Sequence, residues 1–313
     1  MMMDASETAA RIVEAVSSVI RGKEEKAKLA VTALLSGGHL LVEDAPGVGK
    51  TTLARALAKV VGLPFRRVQF TSDLMPADVL GGNVFDPSRA TFQFRPGPIF
   101  TSVLLADEIN RTTPKTQSAL LEAMEERQVS LDGETRPLPP EFFVIATQNP
   151  LDFEGTYPLP ESQLDRFTLR ITLGPPHPEV ERALLERRGA EDPVEALTTS
   201  VGAEALARAK AAVDQVRVEG PVLDYLHALV LATRDSKAFA AGASTRAALV
   251  FVRAVRARAL VEGRGHALPD DVKALAEPVL AHRLRLRGGY AVGERDEVIR
   301  VLRAIVESLA VPR

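Results

Sequence analysis

The chain has 313 residues, of which 46% are apolar and 26% charged, and its formal net charge is −2. That is the composition of an ordinary globular protein, and the length suggests two domains. The near-neutral charge gives no electrostatic argument for a nucleic-acid partner, and the absence of cysteine excludes disulfides and thiol chemistry and suits a cytoplasmic protein.

The first segment, Met1 to Arg21, carries acids and no long apolar core, so it reads as an amphipathic helix rather than a signal peptide. Helical spacing is clearest from Ala9 to Val19, and a second helix runs from the turn at Gly22 to Leu35. No stretch approaches the roughly 18 uninterrupted apolar residues of a membrane span, so direct membrane insertion is not expected. The five histidines are scattered and do not support a zinc site.

Leu40-Leu41-Val42-Glu43 reads as a buried strand. It enters Asp44-Ala45-Pro46-Gly47-Val48-Gly49-Lys50-Thr51-Thr52, and Leu53 to Val61 then has helical spacing. Strand, Gly-rich loop and helix are the setting in which a phosphate-binding loop works. Successive backbone N–H groups face one concavity, and the helix N-terminus adds its positive dipole end. Lys50 brings a charge to the β- and γ-phosphates of ATP, and the Thr51 hydroxyl is placed to ligate Mg²⁺. The generic pattern is G-x-x-x-x-G-K-[ST], and Asp44 stands where its first Gly would be.

Pro64 to Phe70 reads as a second strand. Gly82 to Phe85 and Thr91 to Phe94 flank a turn at Asp86 to Arg89, a small hairpin. Apolar Ser102 to Ala106 then delivers Asp107 and Glu108 to a strand end, 57 and 58 residues after Lys50. Neighbouring strand residues point to opposite sides, so the two carboxylates can take different tasks. Asp107 suits the Mg²⁺ shell, and Glu108 suits orienting or deprotonating the attacking water. Asn110 to Arg127 turns helical, Gln128 to Leu138 is a second hairpin with an Asp-Gly turn, and Phe142 to Thr147 and Leu169 to Leu173 are further strands.

Gly174-Pro175-Pro176-His177-Pro178 ends the last strand and stiffens a linker. The expected division is an α/β phosphate-loop domain over residues 1–174, a Pro-rich linker at 175–178 and an α-helical domain over 179–313. Residues 189–202 read as a loop. Ala-rich helices are expected near 203–216, 221–235, 244–262, 269–284 and 293–310, with no clear strand.

With those residues assembled, the chain resembles the MoxR family of AAA+ ATPases. The resemblance rests on Val42 to Thr51, on Phe94-Arg95-Pro96-Gly97-Pro98-Ile99-Phe100, and on the long block Leu105 to Met124. It extends through Ala146-Thr147-Gln148-Asn149-Pro150 and Leu159 to Phe167 to Gly242-Ala243-Ser244-Thr245-Arg246-Ala247. The fold it implies is α/β: an AAA+ P-loop NTPase core, a parallel sheet flanked by helices, with two hairpin inserts, followed by an all-α lid. It implies that Asn149 senses the γ-phosphate or the attacking water, that Arg166 is an arginine finger reaching a neighbouring subunit, and that Arg246 is a second sensor on the lid. Gln69 is a candidate switch restraining Glu108. Segment Leu280 to Arg287 is basic and resembles a lid motif, and it reads as solvated lid surface or subunit contact.

The activity the resemblance implies is Mg²⁺-dependent ATP hydrolysis in a ring, most simply a homo-hexamer, that remodels or matures protein complexes. The implied partner is a protein with a von Willebrand factor A domain, acting on a protein client. A magnesium-chelatase-like motor subunit and a nucleic-acid-translocating motor are the alternatives. A strand-tracking loop wants cations and stacking aromatics. The 128–138 hairpin offers Arg136 alone and the 82–94 hairpin Arg89 alone, so no nucleic-acid partner is expected.

Overall fold

The computed structural model describes residues 2–150, 155–186, 192–288 and 294–312. The strands in chain order are β1 (Leu40–Glu43), β2 (Phe65–Gln69), β3 (Gly81–Asp86), β4 (Thr91–Pro96), β5 (Val103–Asp107), β6 (Gln128–Leu131), β7 (Glu134–Pro137), β8 (Phe143–Gln148), β9 (Leu169–Ile171), β10 (Phe239–Ala241) and β11 (Arg285–Leu286). The helices are α1 (Met2–Val19), α2 (Glu24–Leu35), α3 (Lys50–Val60), α4 (Pro76–Leu80), α5 (Pro114–Glu126), α6 (Glu161–Leu164), α7 (Pro178–Glu186), α8 (Ala203–Val213), α9 (Gly220–Asp235), α10 (Thr245–Val261), α11 (Pro269–Leu280) and α12 (Glu294–Ser308).

Five strands form one parallel sheet in the order β2-β5-β8-β1-β9. Every residue of β1, β5 and β8 is buried. Helices cover both faces, which is why these strands read as unbroken apolar runs rather than alternating ones. Alternation survives in what each residue meets. Leu40, Val42, Leu105 and Ile145 join the cluster that includes α1, α2 and α3, while Leu41, Leu104, Ala106 and Val144 join the cluster beneath α5. The first cluster continues unbroken into the C-terminal helices, because α1 packs on α8 and α10 and α2 packs on α10. The hairpins β3–β4 and β6–β7 form as expected. The second turns through Asp132 and Gly133, both with positive φ, the backbone twist that a two-residue Asp-Gly turn supplies.

α1 spans Met2–Val19, as expected of the helix read over Met1 to Arg21, and Ala5 and Thr8 carry its buried face back beyond Ala9. Residues 192–202 hold no helix or strand, as expected of the 189–202 loop, whose first three residues lie outside the described residues. The C-terminal part is not strand-free, since β10 and β11 form a short antiparallel pair. The 269–284 helix stops at Leu280, and one 3₁₀ turn, Ala281–Arg283, follows. That turn carries His282 and Arg283 inward, so residues 280–284 of the basic segment are buried, while Arg285 is half-buried and Arg287 exposed. Arg283 donates from Nε to Asp165 Oδ1 at 2.6 Å and from a terminal nitrogen to Phe167 O at 2.6 Å, and His282 Nε2 bonds Phe167 O at 3.0 Å. The first half of a basic run read as surface is thus a buried staple, holding the C-terminal helices to the chain just before β9.

His39, just before β1, is buried. Its Nδ1 accepts from the Val144 amide at 3.0 Å, and its Nε2 lies 3.3 Å from Met124 O. The neutral Nε2–H tautomer satisfies both contacts. Burial, helped by the nearby Arg127 charge, pulls its pKa down from 6.5 to about 3, and His282 is driven in the same direction by burial. Between about pH 6.5 and 3 the unfolded chain therefore binds a proton that the folded chain refuses. Stability rises with pH across that window and is lost as pH falls through it, by up to about 1.4 kcal/mol per pH unit for one such group. In urea titrations from pH 7.5 to 4.5, His39→Gln is expected to be less stable than wild type at the upper end, with the difference shrinking as the pH drops. A constant difference would assign the acid sensitivity elsewhere.

Candidate ATP site

The phosphate loop joins β1 to α3. Gly47 and Gly49 have φ of +84° and +101°, left-handed values that disfavour a side chain. A Cβ built on either meets nothing within 4 Å, so the backbone there faces open space, as a phosphate cradle must. α3 begins at Lys50 with no side-chain cap, which points the positive end of its dipole at the same space. Lys50 is buried, and its Nζ donates to Asp44 O at 2.6 Å. Thr51 and Thr52 are half-buried on the first helical turn, while Ala45 and Pro46 form the loop's entry and Val48 its tip.

Asp44 has a structural task that its substitution for Gly did not suggest. Its Oδ1 accepts from the Ala45 amide at 2.9 Å, and its Oδ2 accepts from the Leu173 and Gly174 amides at 2.8 and 2.6 Å. Lys23, from the turn before α2, donates to both Val48 O (3.1 Å) and Gly174 O (2.6 Å). Partial burial lowers the Lys23 pKa, and the Asp44 charge opposes that shift. The loop is thus tied to the chain leaving β9, and so to the start of the C-terminal helices.

The carboxylate pair sits at the end of β5, with β8 between it and β1. Asp107 is the last residue of β5, and its Oδ1 accepts from the Thr147 hydroxyl at 2.6 Å. Glu108 departs from the sequence expectation. It is not the next strand residue, because its φ and ψ of 57° and 50° put it in the left-handed region. The two carboxylates are separated by this kink and not by strand alternation. A non-Gly residue held there is strained, and such strain collects at functional sites. The Glu108 amide donates to the same Thr147 hydroxyl at 2.8 Å, so one threonine on β8 fixes both acids. Asn149 is buried one residue past β8, whose Gln148 pairs with Glu43, so it lies between the phosphate loop and the acids.

A polar relay runs along the edge of this site. Arg67 donates to Asp107 Oδ2 from Nε at 3.0 Å and from a terminal nitrogen at 2.6 Å, and also to Gln69 Oε1 at 3.2 Å. Gln69 Nε2 then donates to Glu108 Oε2 at 2.7 Å, and Arg111 reaches that same oxygen at 3.0 Å. The contact expected between Gln69 and Glu108 is present. Arg67, Arg111 and Thr147 were not singled out in the sequence. Arg67 had a usable signal, since it lies two residues before Gln69 on the same side of β2, and Gln69 is in register with Asp107.

The donor set fits a nucleotide with Mg²⁺. Hard oxygens from Thr51 and Asp107 suit that ion, and the open glycine cradle with Lys50 suits its phosphates.

Arg166 and Arg246 are elsewhere. Arg166 lies in the turn before β9, where the Thr168 amide donates to His39 O, just ahead of β1. Gly38 permits this approach, because a Cβ there would overlap the Thr168 side chain. The phosphate loop leaves the other end of β1, a strand length of about 15 Å away at 3.3 Å per residue. Arg246, at the start of α10, joins Arg166 through Glu125 at the end of α5. Both guanidinium groups therefore sit on the sheet edge opposite their own phosphate loop.

A parallel sheet of this order defines a class when it has a phosphate loop after β1, paired acids after β5 and a polar residue after β8 between them. This is an α/β P-loop ATPase of the AAA+ kind with a C-terminal lid. Comparison with known proteins agrees. Residues 39–169 match the ATPase family associated with various cellular activities (AAA), and residues 231–302 match the AAA lid domain. Chaperone MoxR1 of Mycobacterium tuberculosis is 41% identical over 98% of this chain and 83% of its own. Protein MoxR of Methylorubrum extorquens is 30% identical over 100% and 97%. The uncharacterized protein YeaC of Bacillus subtilis is 43% identical over 96% and 94%. A crystal structure from Cytophaga hutchinsonii, provisionally assigned as an ATPase, superposes with a TM-score of 0.88 at 32% identity and covers 100% of this chain and 97% of its own. The chain belongs to the MoxR family of AAA+ ATPases, and it is an ATP-hydrolysing enzyme of chaperone type.

Proposed function

We propose that this protein is a ring-forming, Mg²⁺-dependent chaperone of the cytoplasm that remodels or matures protein complexes, working with a von Willebrand factor A-domain partner. The observation that carries the reading is the division of the site between opposite edges of one sheet. Phosphate-binding and water-activating groups occupy one edge, and Arg166 and Arg246 the other. A ring places the arginine edge of one subunit against the phosphate edge of the next, so hydrolysis requires assembly, most simply as a homo-hexamer.

In this reading the amides of Asp44 to Thr52 cradle the phosphates and Lys50 holds the β- and γ-oxygens. Thr51 and Asp107 hold Mg²⁺, which when bound neutralises phosphate charge. Glu108 takes a proton from the attacking water, and Asn149 orients that water or the γ-phosphate. Gln69 holds Glu108 back until the site is loaded. Arg166 and Arg246 both act in trans. A polymer of phosphates is a poor partner for the inserts, because the Arg136 guanidinium is engaged, stacked 3.9 Å over the Phe94 ring and ion-paired to Glu134. A protein client fits better, with Phe85 and Phe92 exposed on the other hairpin.

Turnover of the purified protein, with and without a candidate von Willebrand factor A-domain protein, tests the partner. The partner is expected to co-elute in the ATP state and to change the rate. Stimulation by single-stranded DNA at physiological salt, with no response to the A-domain protein, would favour the nucleic-acid motor instead.

A further inference from the structure

Glu125 ends the exposed side of α5, and neither the motif reading nor the roles above use it. Each of its oxygens holds a different arginine: Oε2 accepts from Arg166, and Oε1 accepts from Arg246 at 2.5 Å. These are the two cations of the arginine edge, one from the turn before β9 and one from the lid. Arg166 also donates to Leu121 O at 3.0 Å, one turn back on α5, and Glu125 is the one carboxylate paired with it among the described residues. The Arg166 Nε is buried without a hydrogen-bond partner among the described residues, so the side chain's placement rests on its terminal nitrogens. Arg246 has a second, longer contact to Asp165 Oδ2 at 3.7 Å, and Asp165 is held in turn by buried Arg283.

Two like charges brought to one face repel each other, and long side chains lose entropy when held. A carboxylate with one oxygen for each guanidinium cancels the repulsion and sets their spacing. The pull is visible on Glu125 itself. The Arg246 hydrogen bond, then the Arg166 charge, hold its carboxyl below the usual carboxylate range against the opposing effect of partial burial.

We propose that Glu125 is a positioning residue that couples the lid arginine to the core arginine, so that the two are presented to the neighbouring subunit's ATP as one unit. This inference rests on the reading that both arginines act in trans. It makes Glu125 part of the donating side of the interface, although Glu125 itself touches no phosphate. Glu125 then links the lid to the Arg166 guanidinium itself, while Arg283 and His282 hold the backbone on either side of Arg166.

The test is Glu125→Gln, which keeps size and removes charge, examined by subunit mixing. Alone, the variant is expected to bind ATP with wild-type affinity and to lose at least about tenfold in kcat, the scale of a coupling of about 1.4 kcal/mol. Mixed with Lys50→Ala, which keeps an intact arginine edge, it should regain turnover. Mixed with Arg166→Ala it should not, because both defects lie on the donating side. A general loss of folding would lower the melting temperature and would show no preference between these mixtures. Wild-type kcat in Glu125→Gln overturns the proposal, as does equal recovery with both mixing partners. If Arg166→Ala and Lys50→Ala complement each other while Glu125→Gln and Lys50→Ala do not, the coupling role falls and the shared site stands. If no pair complements, the shared site itself falls.

Discussion

Glu108→Gln is expected to bind ATP and to hydrolyse it about 10²- to 10⁴-fold more slowly, the range a general base contributes. The amide keeps the shape and can still accept from Arg111, but its oxygen is a far weaker base than a carboxylate. The surroundings sharpen this expectation. In this structure Glu108 Oε2 accepts from Gln69 and Arg111, so the proton is taken at the other carboxylate oxygen or after one of those donors has moved. Lys50→Ala is expected to fail earlier. Lys50 is buried in the loop, and a lost charge-assisted contact of about 1.5–3 kcal/mol weakens ATP binding by roughly 10- to 100-fold. Fluorescent-nucleotide titration and single-turnover hydrolysis on both variants separate the two defects. Wild-type turnover by Glu108→Gln would remove it from the role of base.

Those two residues could be found in the sequence because their chemistry is local. A phosphate loop is a contiguous run whose glycines, lysine and threonine must follow one another, and an acidic pair after an apolar run marks a strand end. The alternation of β1, β5 and β8 between two clusters was hidden, because both faces are buried and the runs read as uniformly apolar. Glu108 illustrates a finer limit. Its position in the chain was plain, but its left-handed backbone is imposed by the turn that follows and by the Thr147 hydroxyl on another strand. Arg283 shows the opposite error. Four arginines and histidines in eight residues look solvated until Asp165 and the carbonyls of Phe167 and Thr168 are brought to them from more than 100 residues away. Glu125 could not be found at all from spacing, since its partners come from two other elements, the turn before β9 and α10.

The largest expected effect is that of Arg166. Its turn is fixed beside Gly38 and His39, at the end from which β1 starts, while the phosphate loop leaves the far end of that strand. No rotamer of a side chain some 7 Å long closes a gap of about 15 Å. A finger supplied from a neighbour stabilises charge that develops only in the transition state, worth about 10³–10⁵ in rate in phosphoryl transfer. Arg166→Ala is therefore expected to bind ATP nearly normally and to lose turnover on that scale. Wild-type specific activity should rise with protein concentration as subunits assemble. Arg166→Ala mixed with Lys50→Ala should recover part of the activity, because some interfaces then pair an intact loop with an intact arginine edge. Arg246→Ala should complement Lys50→Ala in the same way, since Glu125 places it on the same edge. A monomer by light scattering in the presence of ATP, with specific activity independent of concentration, would mean that each chain completes its own site, and the fold would then have to bring the two edges of its sheet together.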